Sequence, residues 1–145
     1  MSAASHSDRS LARELAVQFL YQSEAEKLFH YSESHLQSFV NHLQVPPHLV
    51  GTLRQLVKGT FDLLPEIDPS IQDASANWKI SRMPMVDRNA LRLAVYELMA
   101  TDTPDKVVLN EAIEIAKKFG SGESGAFVNG ILDRIVRTRR ATKNP

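Results

Sequence analysis

Cysteine is absent from the 145 residues. That excludes disulfides, thiolate metal sites and a thiol nucleophile together, and it fits a reducing compartment. An excess of charge is absent too. The chain carries 17 basic and 17 acidic side chains, so its total charge singles out neither nucleic acid nor a membrane surface as partner. No apolar run approaches the roughly 20 residues that span a bilayer. The polar amino end, Met1 to Asp8, lacks the basic-then-apolar order of a signal peptide. A soluble, cytoplasmic protein without a membrane partner is expected. Sustained apolar–polar alternation, the mark of a half-buried strand, is missing, as are internal repeats and low-complexity segments.

What is present is enough apolar material, 43% of residues, to build the core of one domain. Charge is distributed unevenly. The first 75 residues hold five basic and nine acidic side chains, a net −4, and the remainder holds twelve and eight, a net +4. Apolar residues recur at helical spacing in about seven segments, so the chain reads as all-α. Leu11, Leu15, Ala16, Phe19 and Leu20 place a first helix over about 9–27, with Ser7 or Asp8 as its cap. Leu36, Phe39, Val40 and Leu43 predict a second over about 33–43, ending before Pro46-Pro47. The third, about 48–64, stops at Pro65, and a short fourth over 69–78 is anchored by Ile71 and Trp78.

The fifth and seventh segments repeat apolar pairs every four positions: Ala90-Leu91, Ala94-Val95, Leu98-Met99, then Phe127-Val128, Ile131-Leu132, Ile135-Val136. Such pairs call for deep burial. Between them Leu109, Ala112, Ile113, Ala116 and Phe119 define a sixth helix, closed by Gly120 in a left-handed conformation. It begins either at Pro104 or, after an extended Val107-Val108, at Asn110. Gly130 inside the last helix implies close packing there. The reading is a single domain over 1–145, with helical lobes over about 8–65 and 66–138 and a basic tail over 139–145.

No constellation for catalysis stands out. His6, His30, His35, His42 and His48 lack carboxylates at ligand spacing and read as solvated surface rather than a metal site. The run Gly120-Ser121-Gly122-Glu123-Ser124-Gly125 follows a helix rather than a strand and lacks the lysine of a phosphate loop, so it reads as a helix-to-helix turn. Glu111 and Glu114 are three apart, with nothing nearby to shift their pKa values. No cofactor is expected.

Four segments, in this order, resemble the NusB family: Leu11 to Tyr21 (LARELAVQFLY), Asp87 to Leu98 (DRNALRLAVYEL), Val107 to Gly120 (VVLNEAIEIAKKFG) and Phe127 to Asp133 (FVNGILD). The resemblance covers nearly the whole chain and is specific in combination. It implies an all-α fold of two packed three-helix bundles and a non-catalytic transcription antitermination factor. The partners implied are boxA-type, single-stranded RNA of ribosomal RNA operons, the small-subunit ribosomal protein NusE and, indirectly, RNA polymerase. By motif, Arg9 and Arg13 stand where the family carries RNA-binding arginines, in a thinner basic run than the family's: Ser10 and Leu11 interrupt it. Arg82, Lys117, Lys118 and the tail are further candidates for phosphate contacts, and Phe127 for base stacking or core. Tyr21, Asp87 and Glu123 match positions that meet NusE. Tyr21 reads equally as packing, and Asp87 equally as a helix-start residue.

Two other readings are carried. One is a fragment of a ribosomal RNA cytosine methyltransferase, against which stand the missing glycine-rich cofactor turn and the missing cysteine. The other is a helical adaptor that binds protein alone.

Overall fold

A computed structural model describes residues 6–143, and among these there are seven α-helices, one 3-10 turn and no strand. The helices are α1 (His6–Ala25), α2 (Glu33–Leu43), α3 (Pro47–Asp62), α4 (Leu64–Ala74), α5 (Met85–Ala100), α6 (Asp105–Phe119) and α7 (Ser124–Lys143). The turn, Ile80–Arg82, lies between α4 and α5.

Helix α5 is the axis of the molecule. Every residue from Asp87 to Leu98 is buried, because α1, α3, α4, α6 and α7 all pack against it. The repeated apolar pairs of its sequence serve this all-round burial. One continuous apolar cluster runs from Ala12 to Val136. In α1 the core face is Ala12, Ala16, Val17, Phe19 and Leu20, whereas Leu11 is 40% exposed. The small alanines bring α1 close to its neighbours, and the face is turned away from the one the leucines suggest.

Capping explains several boundaries. Ser32 accepts from the backbone N–H of His35 and starts α2. Helices α1 and α2 end through left-handed residues that are not glycine, Lys27 (φ 59°) and Gln44 (φ 51°). In each, the next N–H reaches back five residues, Leu28 to the Ser23 carbonyl and Val45 to the Val40 carbonyl, which satisfies carbonyls that the helix leaves unpaired.

Several expectations are corrected. Helix α4 starts at Leu64, directly after Leu63, and carries Pro69 inside it. Pro65 therefore sits in the first turn of α4, where its missing N–H costs nothing. Ile71 is fully buried, but Trp78 lies beyond α4 and is 54% exposed. Helix α6 begins at Asp105 with Pro104 as its cap residue, so Val107-Val108 is helical. Its buried face is Val108, Ala112, Ile115 and Ala116, which leaves Phe119 exposed. Gly120 is extended (φ −98°, ψ −159°) rather than left-handed. A side chain there would collide with Ser124 and the Ala116 carbonyl, so space, not backbone handedness, accounts for that glycine. Helix α7 runs through 139–143, into the stretch read as a tail, while residues 144 and 145 of that tail lie outside the described part.

Candidate interface for nucleic acid and partner

Two buried ionic clusters hold α1 in place. In the first, the Arg13 guanidinium donates to Glu97 at 2.9 Å and to Glu111 at 2.8 Å, and the Ser10 hydroxyl also donates to Glu111. Burial alone would lower the Arg13 pKa, but the hydrogen bonds and charges of Glu97 and Glu111 outweigh it and hold the guanidinium above its ordinary value. In the second cluster Glu24 receives Arg88, Arg92 (2.8 Å) and the Asn89 amide (3.0 Å), and Arg92 continues to Asp68 at 2.9 Å. These contacts explain why Arg88, Asn89, Arg92 and Glu97 are buried on a central helix: each polar group has a partner.

The resemblance gives Arg13 to RNA, whereas its guanidinium is 6% exposed and committed to two carboxylates. Its Nε, Nη1 and Nη2 all donate to Glu97 or Glu111, so a phosphate would have to compete with both carboxylates for it. Arg9, one turn earlier, is exposed and lines shallow clefts with Thr103 and Asp102. The surviving basic surface of α1 is therefore Arg9.

A groove of about 810 Å³ opens where α1, α2, the start of α5 and the end of α6 converge. Tyr21, Leu43 and Phe119 stand exposed on it, with His35, Phe39, His42 and Val86 along its walls. The His35 ring packs on Phe19 with centroids 4.9 Å apart. Exposed aromatic and leucine side chains gathered in one groove mark a surface suited to a protein partner.

Asp87, in the first turn of α5, is only 3% exposed. Burial pushes its carboxyl above the usual range, against the pull of the Ser124 hydrogen bond, and its Oδ1 has no partner. Ser124 is the first residue of α7, and its hydroxyl accepts from the Ser121 N–H at 2.9 Å while the Ser121 hydroxyl accepts from the Glu123 N–H at 3.4 Å. This reciprocal arrangement stiffens the turn and leaves the Glu123 side chain in solvent. Of the three transferred partner positions, Tyr21 and Glu123 are presented and Asp87 lies beneath the surface.

The remaining candidates are spread out. Arg82 is exposed beside α5, and Lys117 and Lys118 end α6, where cations suit the helix dipole. Lys118 bonds Glu14 at 3.0 Å and stands 5.4 Å over the Phe119 ring, and Lys117 pairs with Glu114 at 3.8 Å. Phe127 is half-buried, edge-on to Trp78 at 6.0 Å. Sequence reasoning missed the Glu24 cluster, whose members look like ordinary helix-surface charges, and the exposure of Trp78. Among the described residues no group of His, Cys, Asp and Glu is arranged to hold a metal ion, and no helix is long and apolar enough to cross a membrane.

The family model for the NusB family matches residues 10–137. This chain belongs to the NusB family. A curated relative from Anaeromyxobacter dehalogenans, named transcription antitermination protein NusB, is 46% identical over 132 residues, covering 90% of this chain and 91% of its own. The structure of NusB from T. maritima superposes with a TM-score of 0.79 at 37% identity, covering 89% of this chain and 90% of that one. A crystal structure of the antitermination factors NusB and NusE in complex with double-stranded RNA contains a chain with a TM-score of 0.81 at 26% identity, covering 92% of this chain and 99% of that one. The NusB fold is thus present along nearly the whole length.

Proposed function

We propose that this NusB-family chain is a non-catalytic transcription antitermination factor of the cytoplasm, which holds boxA-type RNA of ribosomal RNA operons jointly with the ribosomal protein NusE. The observation that carries this reading is the near-complete structural likeness to a NusB solved with NusE and RNA. The groove of Tyr21, Leu43 and Phe119 supplies apolar area for the protein partner, and Glu123 on the neighbouring turn supplies negative charge toward a basic ribosomal protein. RNA runs past Arg9, Lys117, Lys118, Arg82 and Phe127, held by phosphate contacts and stacking. Arg13 contributes by fixing α1 and so placing Arg9. Asp87 acts from below, orienting the turn that carries Glu123.

Absence of catalysis fits the state of the one carboxylate pair that sequence spacing suggests. Glu111 is spent on Arg13 and Ser10, and Glu114 is an exposed surface group.

The deciding experiment is fluorescence anisotropy of a labelled boxA-type RNA, single-stranded and as a duplex, with and without NusE at two salt concentrations. Cooperative, salt-sensitive binding in the presence of NusE is expected. Binding of NusE with no RNA affinity in any mixture would leave the adaptor reading. In the same assay Glu123→Lys weakens the protein complex about five-fold or more, the scale of a lost charge complement at an interface. An unchanged Kd removes Glu123 from the partner surface.

A further inference from the structure

The sequence contains one tryptophan, and the fold does not bury it. Trp78 follows α4 and is 54% exposed, touching Phe127 edge-on. An indole left in water forfeits the burial that usually retains it, so its surroundings bear on what it is for. It forms one wall of a second groove, about 790 Å³, between the end of α4 and α7.

The α7 wall is a stripe at steps of three and four residues: Phe127, Gly130, Arg134, Arg137. Gly130 has nothing within 4 Å of where a side chain would begin. The close packing that the sequence suggested for it is therefore not the reason for glycine, and the gap leaves bare backbone at the floor of the groove. Arg134 donates one N–H to the Ala74 carbonyl at 2.9 Å, which leaves four of the five guanidinium donors. Arg137 is exposed and pairs with Asp133 at 2.8 Å, a solvated contact that a phosphate can displace at little cost. Asp73 is the one carboxylate among the lining residues, against two arginines.

We propose that this groove is a base-stacking subsite for single-stranded RNA, in which an unpaired base lies against Trp78 beside Phe127 and the adjoining phosphates meet Arg134 and Arg137. The inference rests on the RNA-binding reading and deepens it by extending the RNA path from Phe127 along α7. Flat aromatic faces with arginines at the rim are what sequence-tolerant capture of single strands uses. A duplex keeps its bases stacked inside and has none to offer the indole.

Because Trp78 is the only tryptophan, emission of the intact protein excited at the red edge, where tyrosine does not absorb, reports on this groove alone. Titration with a single-stranded boxA-type RNA is expected to quench that emission and shield it from acrylamide, while the same sequence as a duplex leaves it unchanged. Trp78→Ala weakens single-strand binding, read by anisotropy of labelled RNA, by about 5- to 100-fold, and Trp78→Phe restores most of it. Arg137→Gln lowers the salt slope by roughly 0.7, the value of one phosphate contact on a single strand. If RNA binds by anisotropy while Trp78 emission and Trp78→Ala affinity stay as they were, the subsite is overturned and the RNA reading stands. If no RNA binds at all, the RNA reading itself has failed. Shielding of Trp78 by NusE alone, without RNA, would overturn the subsite by giving the groove to the protein partner.

Discussion

Arg13 illustrates how a motif and a fold can assign one side chain differently. The segment that carries it looks like a nucleic-acid-binding stretch, yet its guanidinium is enclosed by Glu97 and Glu111, residues 84 and 98 positions away. Removing one partner of a buried ion pair leaves the other charge uncompensated, at a cost of about 3–5 kcal/mol. Arg13→Gln is therefore expected to lower the urea midpoint strongly, and to weaken RNA binding only in proportion to the folded fraction lost. A variant of unchanged stability and poor RNA affinity would return Arg13 to the RNA surface. Asp87 makes a separate prediction. Its raised pKa means that the folded protein retains a proton the unfolded chain has released. The contribution of Asp87 is thus most favourable below the ordinary carboxylate value and is lost as pH rises through the window up to the raised folded value. Asp87→Asn removes this dependence. Urea unfolding of both proteins across that window should show the variant gaining on the parent as pH rises, and a constant difference would mean that Asp87 titrates normally.

At the scale of elements, glycines separate what sequence can tell from what it cannot. Gly59 in α3 and Gly130 in α7 are both helix-interior glycines, alike on paper. A side chain at position 59 would begin 2.2 Å from the Tyr96 ring, and one at 130 would meet nothing. Gly59→Ala is expected to destabilise by about 1–3 kcal/mol through overpacking. Gly130→Ala should stabilise by about 0.5–1 kcal/mol through helix propensity. Equal thermal shifts for the two would contradict this difference. Periodicity located the helices well where apolar pairs recur, as in α5, and located α2 to the residue. It failed where the signal is not periodic. Leu63 joins α3 to α4 with almost no loop, Pro65, read as a stop, lies in the first turn of α4, and Pro69, read as a helix start, lies inside it. Lys27 and Gln44 close helices in a conformation that glycine usually marks. The orientation of α1 escaped as well, because alanines at 12 and 16 define its contact face more than the larger leucines do.

Across the whole molecule, the uneven charge along the chain does not translate into one basic face. Of the positive residues after position 75, Arg88 and Arg92 are buried with Glu24, and Lys118, Arg137 and Arg140 each have an acidic neighbour. Much of the positive charge of the second half is thus matched locally by carboxylates. The Tyr21 groove and the Trp78 groove have no lining residue in common. The surfaces proposed for a protein partner and for an RNA strand are therefore separate, and the NusB family resemblance alone would not have located the second.

The Arg13–Glu97 contact also sets an order of events during synthesis. At about 5–20 residues per second, the 84 positions between the two residues separate their emergence by roughly 4–17 s. Through that interval Arg13 exists without Glu97, and α1 without the complete central helix that packs against it. Helix α1 thus leaves the ribosome well before the central helix that completes its packing, and chains interrupted before position 97 would display Arg13 without its Glu97 partner for the cell's quality control to find.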